Sequence, residues 1–214
     1  MGKSAREEQQ AAERAARLEA AHRTEVRRRR RHFLLGGSMI IVVALVGIAV
    51  VAFSGGGGGG STSSLPPGTK VFVEANHQHV QTPVTYDHTP PAGGAHNAVW
   101  LNCGIYSRPV PNENAVHSLE HGTVWITYRP DLPAADVSQL QQFVQGHYDG
   151  NELYLVLSPY PGLPSPVVAT AWGAQIRLSG PGDPRMASFV AHFIGGGQGG
   201  EKGSPCTGGI GKPA

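Results

Sequence analysis

Residues 123–129, TVWITYR, decide how this chain is read. Six of these seven side chains are β-branched or aromatic, the composition of a pleated, well-packed strand. Gly122 precedes the run and Pro130-Asp131 follows it, so both ends are marked by turn residues. Downstream, Asp136 to Tyr148 places Val137, Leu140, Phe143, Val144 and Tyr148 on one helical stripe. Glu152 to Ser158 (ELYLVLS) and Val167 to Trp172 (VVATAW) read as two further strands, the second introduced by Pro161, Pro164 and Pro166. Asp183-Pro184 has the form of an N-cap with proline at the first helical position. The helix it opens buries Met186, Phe189, Val190 and Phe193. Upstream, Thr69 to Ala75 (TKVFVEA) alternates like a strand. This order predicts an α+β domain, a mixed β-sheet with two main helices packed on it. From Thr123 onward, β-α-β-β-α matches the second half of a thioredoxin-like fold, in topology only, because no Cys-x-x-Cys is present.

Ahead of that domain, composition divides the chain sharply. Phe33 to Phe53 (FLLGGSMIIVVALVGIAVVAF) contains no charged residue, and 21 residues make a helix about 31 Å long, matching a bilayer core. Arg27 to Arg31 lie just before it. By the positive-inside rule this run stays cytoplasmic, which places everything after residue 53 outside. Residues 1–32 carry ten Lys/Arg against five Asp/Glu, and the remainder seven against ten. Membrane topology and anionic lipid account for the arginines without a nucleic-acid partner. A cleaved signal peptide fits less well, since the apolar core is too long and 32 residues precede it. The expected organisation is a basic, helical cytoplasmic tail (1–32), one transmembrane helix (33–53), a Gly/Ser linker (54–64), an extracytoplasmic domain (65–195) and a Gly-rich tail (196–214). Only Cys103 and Cys206 are available for a disulfide, and in an oxidising compartment their pairing pins that tail to the core. The alternative makes Cys103 a thiolate ligand.

Six of the ten histidines lie between His77 and His121. Imidazole is the commonest protein metal ligand and titrates near neutral pH. His77 and His79 form H-x-H, and on a strand both rings share a face. His88 and His96 bracket a stiff Pro/Gly turn in YDHTPPAGGAH. Within VHSLEHG, His117, Glu120 and His121 spell H-x-x-E-H, the signature of inverted zinc peptidases. That motif needs a long host helix, whereas Gly122 and a strand follow at once. Imidazoles converging from strand, loop and turn suit Zn(II) or Cu(II); the scarcity of methionine argues against a thioether-rich Cu(I) store. The candidate ligands are His77, His79, His96, His117 and His121, with Glu120 the acid–base group if the domain is an enzyme. His88, His147 and His192 read as ordinary hydrogen-bonded residues, and Trp100, Trp125 and Trp172 as core.

His77-Gln78-His79, Pro90-Pro91-Ala92-Gly93-Gly94-Ala95-His96, the Trp100 to Tyr106 run (WLNCGIY), Val116 to Gly122 and Ala171-Trp172-Gly173 occur in one order. Together they resemble the bacterial domain of unknown function 3105 family over roughly residues 70–195. Ala92-Gly93 and Thr123 depart from that family's usual pattern, and neither removes a histidine. The resemblance implies a membrane-tethered extracytoplasmic domain and supplies no activity. Three functions remain open: a copper- or zinc-binding module serving envelope proteins, a hydrolase or redox catalyst built on the same cluster, or a partner-binding domain with a metal-free histidine network. No nucleotide loop or serine-nucleophile motif is present, which removes several common enzyme classes.

Overall fold

The Thr123 to Arg129 segment becomes the centre of the sheet. The computed structural model describes residues 64–147, 154–196 and 198–214, which fall within one compact unit, Ser61–Ala214. Its elements are β1 (Lys70–Val71), β2 (Gly104–Ile105), α1 (Asn112–Glu120), β3 (Val124–Tyr128), α2 (Ala134–Gln145), β4 (Leu155–Pro159), β5 (Val167–Ala171), β6 (Ala174–Leu178) and α3 (Arg185–Phe193). The sheet runs β1-β6-β5-β3-β4-β2. β3 pairs in parallel with β4, its partner across the α2 crossover, and antiparallel with β5. β5 and β6 form a hairpin that closes at Ala171 and Ala174, with Trp172-Gly173 at its tip.

Period-two alternation along β3 builds two cores. Val124, Ile126 and Tyr128 face one side, where Leu140 and Val144 of α2 and Met186, Phe189, Val190 and Phe193 of α3 cover them. Trp125 faces the other side and joins Val116 and Leu119 of α1, Leu101, Val156, Trp172 and the cysteine pair. Each such large apolar side chain contributes about 1.5–3 kcal/mol on full burial. Val137 and Phe143 pack at the margin of the first core. The helical stripe is thus as expected as far as the described residues reach; Tyr148 lies outside them. The start of α3 is shifted by one from the expectation, with Pro184 as the N-cap and Arg185 the first helical residue. Asp183 braces this turn from just outside, Oδ1 accepting the Arg185 N–H at 3.1 Å and Oδ2 the Ser179 N–H and hydroxyl, each at 3.1 Å.

The expectation of two main helices is corrected to three. The addition is α1, whose Asn114 to Glu120 are all buried, so no polar stripe reveals it. The strand expected over Thr69–Ala75 shrinks to Lys70–Val71 at the sheet edge. Beyond it, His77-Gln78-His79 is not strand either; His79 makes an isolated parallel bridge to His96, with Val80 N–H donating to His96 O and His96 N–H to Gln78 O. The segment Phe33–Phe53, the basic tail and the linker through Ser63 lie outside the described residues. Among the described residues no helix is long and apolar enough to cross a membrane.

Candidate metal centre

The C-terminal end of α1 supplies the floor of the site. His117, Glu120 and His121 are each buried there. Gly122 then turns the chain straight into β3 with φ +101°, and a Cβ at that position would meet Gly195 C at 2.9 Å. The bridge to His79 brings in His96, and the β5–β6 hairpin delivers Trp172. Ring centres of His79 and His96, His79 and His117, and His96 and His117 lie 4.9, 5.0 and 4.9 Å apart, and those of His117 and His121 4.6 Å. A ring nitrogen about 2.0–2.1 Å from zinc puts the ring centre roughly 3.2 Å away, so two imidazoles on one ion have centres roughly 4.5–5.2 Å apart. The observed spacings fall in that range.

Hydrogen bonding fixes how the rings present themselves. Nδ1 of His96 donates to Gly94 O at 2.8 Å, Nδ1 of His117 to Asn97 O at 2.7 Å, and Nδ1 of His121 to Pro205 O at 2.8 Å. A carbonyl can only accept, so each Nδ1 carries the proton, and in the neutral ring Nε2 holds a free electron pair. His96 Nε2 lies 3.0 Å from Glu120 Oε2, where two acceptors face each other, and it has no hydrogen-bond partner. The Nε2 atoms of His121 and His117 face Glu201 Oε2 at 3.4 and 3.8 Å. At 3.0 Å the buried His96–Glu120 pair needs a proton or a metal ion between its members, whereas the wider contacts at Glu201 have room for a metal ion, a proton or a bridging water.

Two groups offer ligand atoms all within 4.8 Å of one another: His79 with His96 and His117, and His117 with His121 and Glu201. A third joins His79, Glu120 and Glu201. His96, His117 and His121 are buried, while His79 and Glu201 are exposed and form the mouth. Partial burial, then the neighbouring His117 and His96, lowers the His79 pKa. Burial pushes the Glu120 carboxyl up, but its contacts with His96 and His77 outweigh that effect and leave it lowered. The nearby rings of His117 and His121 hold the Glu201 carboxyl well below the usual carboxylate range, against the opposing effect of burial.

His77 is brought to the cluster but into no ligand group. Its Nδ1 hydrogen-bonds Glu120 Oε1 and its ring stacks on Trp172, with centres 4.6 Å apart. Both oxygens of Glu120 therefore face histidines. His88 stacks on Phe72 and faces Glu74 at 3.5 Å; His147 bonds Phe143 O; His192 packs edge-on against Phe193. None of the three reaches the cluster. Trp125 and Trp172 are core, as expected; Trp172 also borders the imidazoles, as does Trp100, which lies 5.1 Å from His121.

Sequence reasoning missed Glu201. It sits in the Gly-rich tail, which crosses the site as a strap. Cys103 and Cys206 pair, with Cα atoms 5.4 Å apart, so Cys103 is not a thiolate ligand. Gly203 N–H donates to His121 O, Cys103 N–H to Cys206 O, and Ile210 N–H to Trp100 O. Glycine is required where the strap touches down: a Cβ at Gly199 would overlap the Glu120 carbonyl. The available signal was the cysteine pair itself, because a link from Cys206 to Cys103 draws residues 198–205 over the end of α1.

No curated protein and no solved structure matches this chain. A family described as a protein of unknown function (DUF3105) matches residues 77–208, a span that includes every ligand candidate, the strap glutamate and both cysteines, and the chain belongs to that family.

Proposed function

We propose that this chain is a membrane-tethered, extracytoplasmic module that binds one divalent transition metal ion, zinc or copper(II), in the cluster of His79, His96, His117 and His121. One observation carries the reading. Three buried imidazoles each donate Nδ1–H to a main-chain carbonyl, which leaves Nε2 electron pairs inside a shared space. Metal-ligating histidines are fixed in this way, their second nitrogen held by a carbonyl or carboxylate. The fit test is the buried His96 Nε2, which faces Glu120 Oε2 at 3.0 Å with no donor between them while the ring is neutral, a gap that a metal ion or a proton fills. Bound there, the ion would be held by imidazoles at the floor and reached from solvent past His79.

The tether rests on the uncharged Phe33 to Phe53 stretch behind its arginine run, and the oxidising compartment on the cysteine pair. Domain limits near 65 and a strap from 196 onward agree with where the cluster is assembled. The β3-to-α3 block is read as thioredoxin-like from its strand order, β6-β5-β3-β4 with only β3 and β4 parallel. Hydrolysis receives less support, because Glu120 is buried, with one oxygen hydrogen-bonded to His77 and the other facing His96, so neither is open to a substrate water. A second reading draws on the same contacts: protons in place of the metal would make the His–Glu pairs a buried ionic network, and the domain a scaffold for an envelope protein.

Elemental analysis of the full-length chain, purified without a His-tag and dialysed against a mild chelator, separates the two. About one equivalent of zinc or copper in the wild type, and less than a tenth of that in a folded His96→Ala variant, supports the module. Loss of thermal stability in His96→Ala with no metal in either protein favours the network.

A further inference from the structure

Two of the three ligand groups meet at His117. His79, His96 and His117 make an all-imidazole set; His117, His121 and Glu201 make a mixed set. Nδ1 of His117 is committed to Asn97 O, so its Nε2 is the only atom it can offer, and it serves one ion at a time. The mixed set exists only because the strap is in place. Pro205 O orients His121, Gly203 N–H anchors on His121 O, and Glu201 lies five residues from the pinned Cys206. In the all-imidazole set His96 is fully buried, its Nε2 facing Glu120 Oε2 at 3.0 Å.

Resting on the metal-binding reading above, we propose that the two sets are alternative seats for one ion and that Glu201, carried by the C-terminal strap, is a ligand that makes the site favour divalent ions over Cu(I). Three neutral imidazoles leave a divalent ion with its full charge among buried groups, which is costly in a medium of low dielectric. A carboxylate in place of one imidazole removes half of that charge and offers a harder donor. Zn(II) and Cu(II) gain from it, whereas soft, monovalent Cu(I) is served as well by imidazoles alone. The strap glutamate thereby sets selectivity, and His117 is common to both seats.

The test is competition titration of the full-length chain with Zn(II) and, under anaerobic reductant, with Cu(I), for wild type, Glu201→Gln and His117→Ala. Glu201 is half exposed, so the glutamine variant leaves the core untouched, and equal melting temperatures verify this. We expect Glu201→Gln to weaken Zn(II) at least tenfold while leaving Cu(I) within about threefold, and His117→Ala to weaken both. Unchanged Zn(II) affinity in Glu201→Gln overturns the ligand role of Glu201, while wild-type binding leaves the module reading standing. Equal weakening of both metals overturns the selectivity. No binding of either metal by the wild type overturns the module and this inference together.

Discussion

Removing the Cys103–Cys206 link is the perturbation whose size follows most directly from the fold. The cysteines are 103 residues apart, so the bond closes the greater part of the unit, from β2 through α3, into one loop. In the chain-entropy account, opening a loop of that length frees about 4–5 kcal/mol of conformational entropy in the unfolded chain. Against a typical domain stability of about 5–15 kcal/mol, that is a large fraction. The folded strap keeps other anchors: Asn102 N–H to Ile210 O, Ile210 N–H to Trp100 O and Ala214 N–H to Ile105 O. Hence the Cys103→Ser/Cys206→Ser double variant should still fold, and should lose stability chiefly through its unfolded state. Urea denaturation of the full-length chain gives the comparison, with midpoint and slope recorded for both proteins. The expected loss is about 3–5 kcal/mol, accompanied by weaker Zn(II) binding, because Glu201 and Pro205 flank Cys206. A loss below about 1 kcal/mol would refute the idea that this link closes the domain.

Three further outcomes follow from named contacts. Asp183→Ala should cost about 1–2 kcal/mol by removing the carboxylate that accepts from the Arg185 N–H and guanidinium and from Ser179 ahead of α3. Because Arg185 and the Ser179 contacts hold the Asp183 carboxyl below its ordinary value, that contribution is present above about pH 4 and lost as pH falls further, so melting temperatures of variant and wild type should converge in acid. Gly199→Ala drives a methyl into the Glu120 carbonyl; lifting the strap should cost about 2 kcal/mol or more, and Zn(II) affinity should fall more than Cu(I) affinity in the same titration. Zn(II) affinity of the wild type should drop as pH falls below the imidazole range near about 6.5. His79, whose pKa is lowered, should be the last of that pH-dependence to appear, so His79→Ala should alter the profile mainly at its acid end.

What was legible in the sequence was legible for physical reasons. β3 could be read because six β-branched or aromatic residues stand together, and α2 and α3 because each buries one stripe against a sheet. α1 escaped because it is short and its polar face is buried too: Asn114, His117, Ser118 and Glu120 are covered along with Ala115, Val116 and Leu119, so the sequence shows no solvent-facing side to mark it as a packed helix. β6 (AQIRL) went unread because only Trp172-Gly173 separates it from β5 and its polar Gln175 and Arg177 interrupt the apolar run. β1 and β2 are two residues each, too short for any pattern. The histidines of the cluster were visible from density and spacing alone. His77 was grouped with His79 on the premise of a strand that does not form, and its ring went to Glu120 instead. Glu201 lies in a GGQGGEKG stretch that reads as slack chain. There the glycines are what allow backbone to lie against backbone at Glu120, a tertiary fact no local pattern carries.

X-ray absorption at the zinc edge, on the full-length chain loaded with one equivalent of Zn(II), tests the central claim most directly. Coordination by the cluster predicts nitrogen or oxygen donors at about 2.0–2.1 Å with the outer-shell scattering of two or three imidazoles, reduced by at least one imidazole in His96→Ala or His117→Ala. A spectrum without imidazole scattering, or one unaltered by either substitution, would contradict it.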